Sequence, residues 1–346
     1  MQKRKWIFIG AAASIVFAGI LLATVRWYLL PFGTDHRPVE LSITPKMSLS
    51  TIADTLKHYK VIRSTRALIL WMRFKKVERS IQAGMVIVQQ GDGVINTSAK
   101  LLHARPVEIS LMVPEGLTIE QTALHISRTI PIDTARFIAL CHDSAFVAQC
   151  NVPATSLEGY LFPDTYRLPE NVTVIDIIRR MVARYHKVWS TLSIREDLTE
   201  KYSPHQLVTL ASIIEREATL LSEQPHISGV FHNRLRLGYP LGADPTVRYA
   251  LKKFGGQLRV SELNSPSPYN TRRFTGLPPG PICSPGRGAL MAAIQPLDTK
   301  DLYFVAKWDG TGAHDFSETN SQHERKKREI RRRNERRLKR KAFIEN

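Results

Sequence analysis

Residues 204–223 read PHQLVTLASIIEREATLLSE, and the predicted fold is built outward from this segment. Its apolar residues recur at intervals of three and four, which is the spacing of one face of an α-helix. Ser203 is a favourable N-cap and Pro204 suits the first helical position. The pattern predicts an amphipathic helix whose apolar stripe comprises residues 207, 210, 211, 214, 218 and 221.

Glu215 borders this apolar stripe, whereas Arg216 and Glu217 are predicted to project to other sides of the helix. A carboxyl group against apolar surface has its charged form disfavoured, so its pKa rises. A carboxyl with a raised pKa can serve as a general acid near neutral pH. Glu215 is therefore a candidate catalytic residue, and the alternative is an ordinary helix-face glutamate paired with a nearby arginine.

The length and composition limit the possible classes of protein. The chain has 346 residues, of which 43% are hydrophobic and 23% charged. These values exclude a fully disordered chain, a collagen and a polytopic membrane protein, and the length suggests about two domains. Three cysteines exclude a disulfide-stapled scaffold, although Cys141 and Cys150 either form one disulfide or stay unpaired in the core. No Cys/His spacing resembles a zinc site, so no metal and no other cofactor is predicted.

The charge is strongly basic and is concentrated at the two ends of the chain. Lys and Arg number 49 against 31 Asp and Glu, which gives a net charge of +18 and favours an anionic partner. Residues 324–346 hold 12 basic and 4 acidic residues, and residues 1–5 hold three basic ones. No base-reading motif appears, so nucleic acid is not a predicted partner. The basic tail is predicted either to contact anionic polymer or lipid headgroups or to be simply solvated.

The N-terminal segment resembles a membrane anchor. Residues 6–25, WIFIGAAASIVFAGILLATV, carry no charge, and about 20 such residues in a helix span the hydrocarbon core of a bilayer. The alternative is a cleaved signal peptide, whose apolar region is usually shorter. We predict a single-pass anchor over residues 6–30 of the cytoplasmic (inner) membrane. The positive-inside rule keeps residues 1–5 in the cytoplasm and exports the remainder.

The exported part is predicted to be α+β. A weak repeat relates VELSITPKMSLSTIADTL (39–56) to VEISLMVPEGLTIEQTALHI (107–126), each reading as a strand, a turn and a helix; Thr118 and Gln121 fit a capping box. The first copy continues into a predicted helix from Thr65 to Phe74 and a strand near Met85 to Gln89. This arrangement resembles the LysM-like modules that bind glycan strands, and the alternative is a generic α/β packing module. The predicted organisation is a linker (31–38), a LysM-like module (39–106), a second small α/β unit (107–154), a mixed α+β catalytic domain (155–323) and a basic tail (324–346).

Several short motifs follow one another in the second half of the chain. They are LEGYLFPDTY (157–166), LASIIERE (210–217), FHNRL (231–235), DPTVRYAL (244–251), SPYNT (267–271) and TGLPPGPICSPG (275–286), followed by YFVA (303–306) and GAHDFS (312–317). This ordered set resembles the MltG-type (YceG-like) endolytic murein transglycosylases. The resemblance covers nearly the whole chain, and its specificity comes from the order of the motifs rather than from any one of them.

The resemblance implies lytic cleavage of the MurNAc–GlcNAc bond in peptidoglycan strands, and it assigns the catalytic acid to Glu215. One carboxyl first protonates the leaving oxygen and then removes the proton of the muramyl C6 hydroxyl, which closes a 1,6-anhydro ring. The implied partners are nascent glycan strands, whose elongation the enzyme would help to terminate, and peptidoglycan synthases are candidate protein partners. The residues expected to orient the sugar are Glu158, Asn233, Asp244, Tyr269 and Asn270.

Some positions depart from the family pattern, and two other activities stay open. The chain has Gly242-Ala243 before its DPT motif, Gly84-Met85-Val86 in a strand and His323-Glu324 near the end, where many relatives have other residues.

The first rival function is hydrolysis, with Glu215 as the acid and Glu158 or Asp244 as the base. The second is a non-catalytic protein that binds the cell wall.

Overall fold

The computed structural model describes residues 2–32, 36–44, 47–81, 83–104 and 108–344. For residues 2–14 and 337–344 it describes the backbone alone. The chain divides into two compact units, Met1–Ile109 and Ser110–Asn346. The predicted boundary at residues 106 and 107 lies outside the described residues.

The first unit is built on a two-stranded antiparallel sheet. Strands β1 (Pro38–Ile43) and β2 (Gly84–Gln89) pair from Pro38 opposite Gln89 to Ile43 opposite Gly84. The helices are α1 (Gln2–Leu29), α2 (Leu49–His58), α3 (Thr65–Phe74) and α4 (Gly93–Leu101). The predicted helix at Thr65–Phe74 and the predicted strand near Met85–Gln89 are thus observed.

The core of the first unit forms where the helices bury their apolar stripes against one face of the sheet. Alternate strand residues face this core, as the two-residue period of a strand requires. The buried side chains include Leu41, Ile43, Val86 and Val88 from the strands, and Ile52, Leu56, Leu68 and Met72 from the helices. This arrangement is a mixed α/β module; its relation to LysM modules stays a prediction.

The predicted transmembrane segment, residues 6–30, corresponds to most of α1. The side chains of residues 6–14 lie outside the described part of the chain. Among the residues that are described, no helix is long and apolar enough to cross a membrane.

The second unit is mainly helical, with two small sheets. Strand β3 (Glu108–Met112), which begins just before the boundary, lies beside β4 (Thr165–Pro169), and β5 (Tyr303–Ala306) pairs antiparallel with β6 (His314–Ser317). The helices are α5 (Ile119–Ser127), α6 (Thr134–His142), α7 (Ser144–Gln149), α8 (Val174–Trp189), α9 (Glu196–Thr199), α10 (Pro204–Glu217), α11 (Gln224–Arg236), α12 (Asp244–Ala250), α13 (Val260–Leu263), α14 (Arg287–Ile294) and α15 (Asn320–Ile344). The α+β fold class is confirmed at this level.

Two local predictions can be compared directly with the second unit, which also gives the conformation of the basic tail. The capping box of Thr118 and Gln121 is present at the start of α5. Cys141, Cys150 and Cys283 are buried and free, so the pairing of the first two is not observed. The backbone of the basic tail continues as the helix α15 as far as Ile344.

Candidate active site

Helix α10 is the central element of the second unit, and its start follows the sequence prediction. The Ser203 side chain accepts a hydrogen bond from the Gln206 N–H, and the Gln206 side chain accepts one from the Ser203 N–H at 2.8 Å. This reciprocal capping box satisfies donors that a helix start leaves free. Every residue from Leu207 to Ile214 is buried, and the helix packs against α14 and α11.

The end of α10 differs from the prediction of one helix over residues 204–223. The helix stops at Glu217, because Ala218 adopts an extended conformation (φ −80°, ψ 116°). A short 3₁₀ turn, Leu221–Glu223, follows before α11 begins. Residues 218 and 221 therefore do not extend the apolar stripe of α10. Glu217 is the last residue of the helix.

Glu215 is half-buried and is held by the segment that leads into α14. Its Oε2 accepts a hydrogen bond from the Gly286 N–H at 3.1 Å. Burial is the main cause that raises the pKa of Glu215 to about 7. The nearby Glu115 contributes to the rise, whereas the Gly286 hydrogen bond and Arg216 oppose it. The raised pKa that the sequence predicts for Glu215 is therefore present. The carboxylate also links α10 to the N-cap of α14, which is Gly286.

Glu217 lies in a polar cavity of about 460 Å³. Burial raises the pKa of Glu217 to about 7, and the negative charge of Asp244 contributes to the rise. Arg234, Arg272 and the backbone N–H of Asp244 act in the opposite direction. The remaining residues that line the cavity are Leu241, Gly242, Phe304, His323 and Lys327.

The loops after α11 and α13 position the charged groups of the cavity. Arg272 Nη1 donates to Asp244 Oδ1 at 2.7 Å. This ion pair joins the loop after α13, which holds Arg272, to the start of α12, which is Asp244. Beneath this ion pair, the Thr246 and Thr271 hydroxyl oxygens lie 2.9 Å apart, and both side chains are buried. Buried hydrogen bonds of this kind fix the loop, so Asp244 and Arg272 are held beside Glu217.

Arg234 and His323 close other sides of the cavity. Arg234 Nε donates to the Leu302 carbonyl oxygen at 2.7 Å, and its Nη1 donates to the Leu241 carbonyl oxygen. The His323 ring stacks on Tyr303 with centroids 5.2 Å apart. Burial lowers the pKa of His323, so its neutral form is favoured next to the cationic side chains.

Asp244, one of the residues predicted to orient the sugar, lines the Glu217 cavity. Asn233 and Asn270, by contrast, are engaged with the backbone. The Asn233 side chain donates to the Thr299 and Asp301 carbonyl oxygens, and the Asn270 side chain donates to those of Leu263 and Ser265. Both amides therefore shape loops that border the site.

Glu158 and Tyr269 form part of an internal polar group. The Glu158 side chain is 3% exposed, and its Oε2 accepts from the Tyr249 hydroxyl at 3.3 Å and from the Ile119 N–H at 3.4 Å. Burial raises the pKa of Glu158 to about 8. The Tyr269 ring packs against Tyr249 with centroids 5.0 Å apart. Their predicted contact with sugar remains a prediction.

Of the nine residues that line the cavity, Asp244 alone was a predicted site residue. The ionisable residues that were not predicted are Glu217, Arg234, Arg272, His323 and Lys327. Glu217 was predicted to project away from the apolar stripe, but it lies three residues after Ile214 and so continues the face of Leu207, Leu210 and Ile214. Arg272 and His323 carry no comparable sequence signal, since neither lies on a helix face shared with α10. Among the described residues, no cluster of His, Cys, Asp and Glu could hold a metal ion.

The cavity can support acid–base chemistry. It holds a carboxyl whose pKa lies near neutrality, a second carboxylate and two arginines fixed by hydrogen bonds. An acid with a pKa near the working pH can both give and take a proton during one reaction. The arginines and Lys327 add positive charge that would attract an anionic substrate.

The comparisons with known proteins identify the family of the chain. Residues 41–329 match the model of the YceG-like family. A Bacillus subtilis protein named endolytic murein transglycosylase is 34% identical over 316 residues, covering 86% of this chain and 87% of that protein. Streptococcus pneumoniae proteins of the same name are 27% identical over 314 residues, and the chain spans 56% of their length. A crystal structure of a yceG-like protein from Listeria monocytogenes is similar with a TM-score of 0.57 and 31% identity, over 84% of this chain and 99% of that one.

Proposed function

The chain belongs to the YceG-like family, and from this premise we propose that it is an endolytic murein transglycosylase. It would cleave MurNAc–GlcNAc bonds within peptidoglycan strands and leave 1,6-anhydroMurNAc ends, which would help to terminate glycan elongation. The name of the Bacillus subtilis relative supports the activity. The observation that carries the proposal is the polar cavity around Glu217, whose pKa burial raises to about 7.

The proposed reaction needs one carboxyl. Protonated Glu217 gives its proton to the glycosidic oxygen while the bond from that oxygen to the muramyl C1 breaks. The carboxylate that remains takes the proton of the C6 hydroxyl as the C6 oxygen bonds to C1. This step closes the anhydro ring, restores the protonated carboxyl and consumes no water. A pKa near 7 suits both halves of the cycle, because neither proton transfer is then strongly uphill.

Glu215 is the second candidate for the acid, and the geometry favours Glu217. Glu217 lines the cavity together with Asp244 and Arg272, whereas Glu215 is not among the lining residues and its Oε2 accepts from the Gly286 N–H at the start of α14. We assign Glu215 a positioning role, since its hydrogen bond joins α10 to the start of α14. The sequence-based assignment of the acid to Glu215 is the competing hypothesis.

Two isosteric substitutions on the same helix separate these assignments. Glu217→Gln removes the acidic proton, so we expect cleavage of purified sacculi to fall by about 10²–10⁴-fold, the usual contribution of a general acid. Glu215→Gln keeps a carbonyl oxygen for the Gly286 N–H and is expected to lose far less activity. The measurement is the rate of muropeptide release by folded variants with wild-type circular dichroism. A severe loss in Glu215→Gln alone would return the acid to Glu215.

Product analysis in the same assay tests the reaction type. Hydrolysis would use Asp244 or Glu158 to activate water and would leave reducing MurNAc ends. The proposed lytic reaction leaves anhydro ends, which are lighter by one water. Mass spectra dominated by reducing ends would overturn the lytic proposal. No cleavage by wild-type protein would instead favour a cell-wall-binding role.

We also propose that residues 6–30 anchor the enzyme to the cytoplasmic membrane, with its catalytic unit on the outer face. The absence of charged residues between positions 6 and 25 supports this localisation, as do the lysines and arginine at positions 3–5. Peptidoglycan synthases working at the same membrane surface are the proposed protein partners. Co-sedimentation of the full chain with membranes after carbonate washing tests the anchor, and release into the supernatant would contradict it.

A further inference from the structure

Helix α3 of the first unit turns two large apolar side chains outward. Leu70 is 65% exposed and Phe74 is 76% exposed. The same helix buries Leu68 and Met72 in the core, so its inner face is already used for packing. Leu70 and Phe74 are four residues apart and lie on one face of the helix. An exposed apolar pair of this kind commonly marks a contact surface.

The outward face of α3 is continuous with an apolar groove beside α1. The groove has a volume of about 390 Å³ and lies between the two helices. Its lining is almost entirely apolar; the residues are Thr24, Val25, Tyr28 and Leu29 from α1, and Ala67, Leu70, Trp71 and Phe74 from α3. Leu22, which is 69% exposed, extends the apolar surface along α1.

Basic residues flank this apolar surface in the sequence, and one of them contacts a residue that lines the groove. Residues 63–79 contain six Arg or Lys and one Glu, a net charge of +5. Lys75 and Lys76 directly follow the helix and are exposed. The Lys75 Nζ lies 5.1 Å from the centre of the Trp71 ring, and the Trp71 Nε1 donates to the Ser98 hydroxyl at 3.0 Å. Apolar and aromatic side chains bordered by cations are typical of helices that lie in a bilayer interface.

A second basic contact holds the end of α1 against the same module. The Arg63 guanidinium carbon lies 3.9 Å from the centre of the Trp27 ring and 4.4 Å from that of Phe32. Arg63 Nη1 also donates to the Trp27 carbonyl oxygen. These contacts fix the apolar end of α1 beside α3, so the two apolar surfaces are presented together.

We propose that the outward face of α3, with its groove against α1, is a second membrane contact that lies in the surface of an anionic phospholipid bilayer. Leu70 and Phe74 would enter the boundary between headgroups and acyl chains, and the flanking lysines and arginines would bind lipid phosphates. The proposal rests on the proposed membrane localisation and goes beyond it, because it assigns a lipid-binding role to the module after the anchor. The net charge of this segment favours anionic lipid over a second, equally basic copy of the chain.

Fluorescent labels on the full-length protein test the proposal. The label is placed at position 74 through Phe74→Cys and, as a control, at position 260 through Val260→Cys, since Val260 is also 76% exposed. The three native cysteines are buried. Each protein is mixed with vesicles of phosphatidylcholine containing roughly one third phosphatidylglycerol, with or without bromine on the acyl chains. We expect brominated lipid to quench the label at position 74 at least about twofold more than the control label.

The outcomes separate this contact from the anchor. Proteins that float with the vesicles while both labels show equal quenching would overturn the α3 contact and leave the anchor in place. Proteins that do not float contradict the anchor, and an unquenched label at position 74 then overturns the contact as well. Equal quenching in vesicles of phosphatidylcholine alone would overturn the preference for anionic lipid. A blue-shifted but unquenched label would assign the groove to another protein surface.

Discussion

At the scale of single residues, two glutamates two positions apart have different surroundings. Burial raises the pKa of both Glu215 and Glu217 to about 7. Both accept a backbone N–H, Glu215 that of Gly286 and Glu217 that of Asp244. Their surroundings differ, because Glu217 lines a cavity with Asp244 and Arg272 and Glu215 is not among the residues that line it. A raised pKa is thus insufficient to identify the acid, and access to space that could hold a substrate separates the two candidates.

The pH dependence of cleavage should follow the charges around Glu217. The acid must be protonated to start the reaction, so we expect the rate to decline as the pH rises above about 7. Arg272 lowers the pKa of Glu217. In Arg272→Gln that effect is lost and Asp244 is left unpaired, so the pKa of Glu217 rises and the alkaline limb of kcat should move to higher pH. A pH–rate profile measures the shift, and a move to lower pH would contradict the assignment.

At the scale of elements, the starts of several helices follow from local chemistry. The capping boxes at the starts of α5 and α10 and the amphipathic periods of the helices are visible in the sequence, and the structure places helices there. The end of α10 is different: its apolar pattern continues to residue 221, but the backbone turns out of the helix at Ala218. That turn makes Glu217 the C-terminal residue of α10. No residue pattern in the sequence predicts that the helix ends there.

A glycine turn in the first unit offers a test at this scale. Gly91 has φ +79°, and a Cβ there would lie 1.8 Å from the Phe32 carbonyl oxygen. Gly256 has a similar φ of +70° and no atom near its missing Cβ. Both alanine variants have an unfavourable φ, so the clash with Phe32 should lower the free energy of unfolding in Gly91→Ala by about 1–3 kcal/mol more than in Gly256→Ala. Urea unfolding of the full chain measures the difference, and equal losses would show that the turn absorbs the clash.

At the scale of the whole molecule, the basic charge has several separate locations. Residues 324–346 supply a net +8 of the total +18, and the segment around α3 supplies another +5. The early part of α15 contributes His323 and Lys327 to the candidate site. The excess charge therefore belongs partly to the cavity, partly to the proposed lipid contact and partly to the C-terminal end of α15.

Removal of residues 331–346 tests the role of that end. The segment contains eight basic and two acidic residues, and its removal leaves His323 and Lys327 in the chain. We expect weaker binding to sacculi at low ionic strength, and the difference should disappear at high salt because exposed charges are screened. Co-sedimentation with sacculi across a salt series measures this. An affinity equal to that of the full chain at low salt would show that the tail is merely solvated.

The sequence by itself determined the starts of α3, α5 and α10, the strand pattern of the first unit, the α+β class and the family. These features depend on residues within a few positions of one another, or on motifs that keep their order along the chain. Only the tertiary structure decided which polar residues share one cavity. Asp244 and Arg272 meet because the buried pair Thr246 and Thr271 holds two separate loops together. Glu217 lies beside them because α10 ends at this residue. Contacts between loops that are far apart in the sequence produce no periodic pattern in the sequence, so they could not be predicted from it.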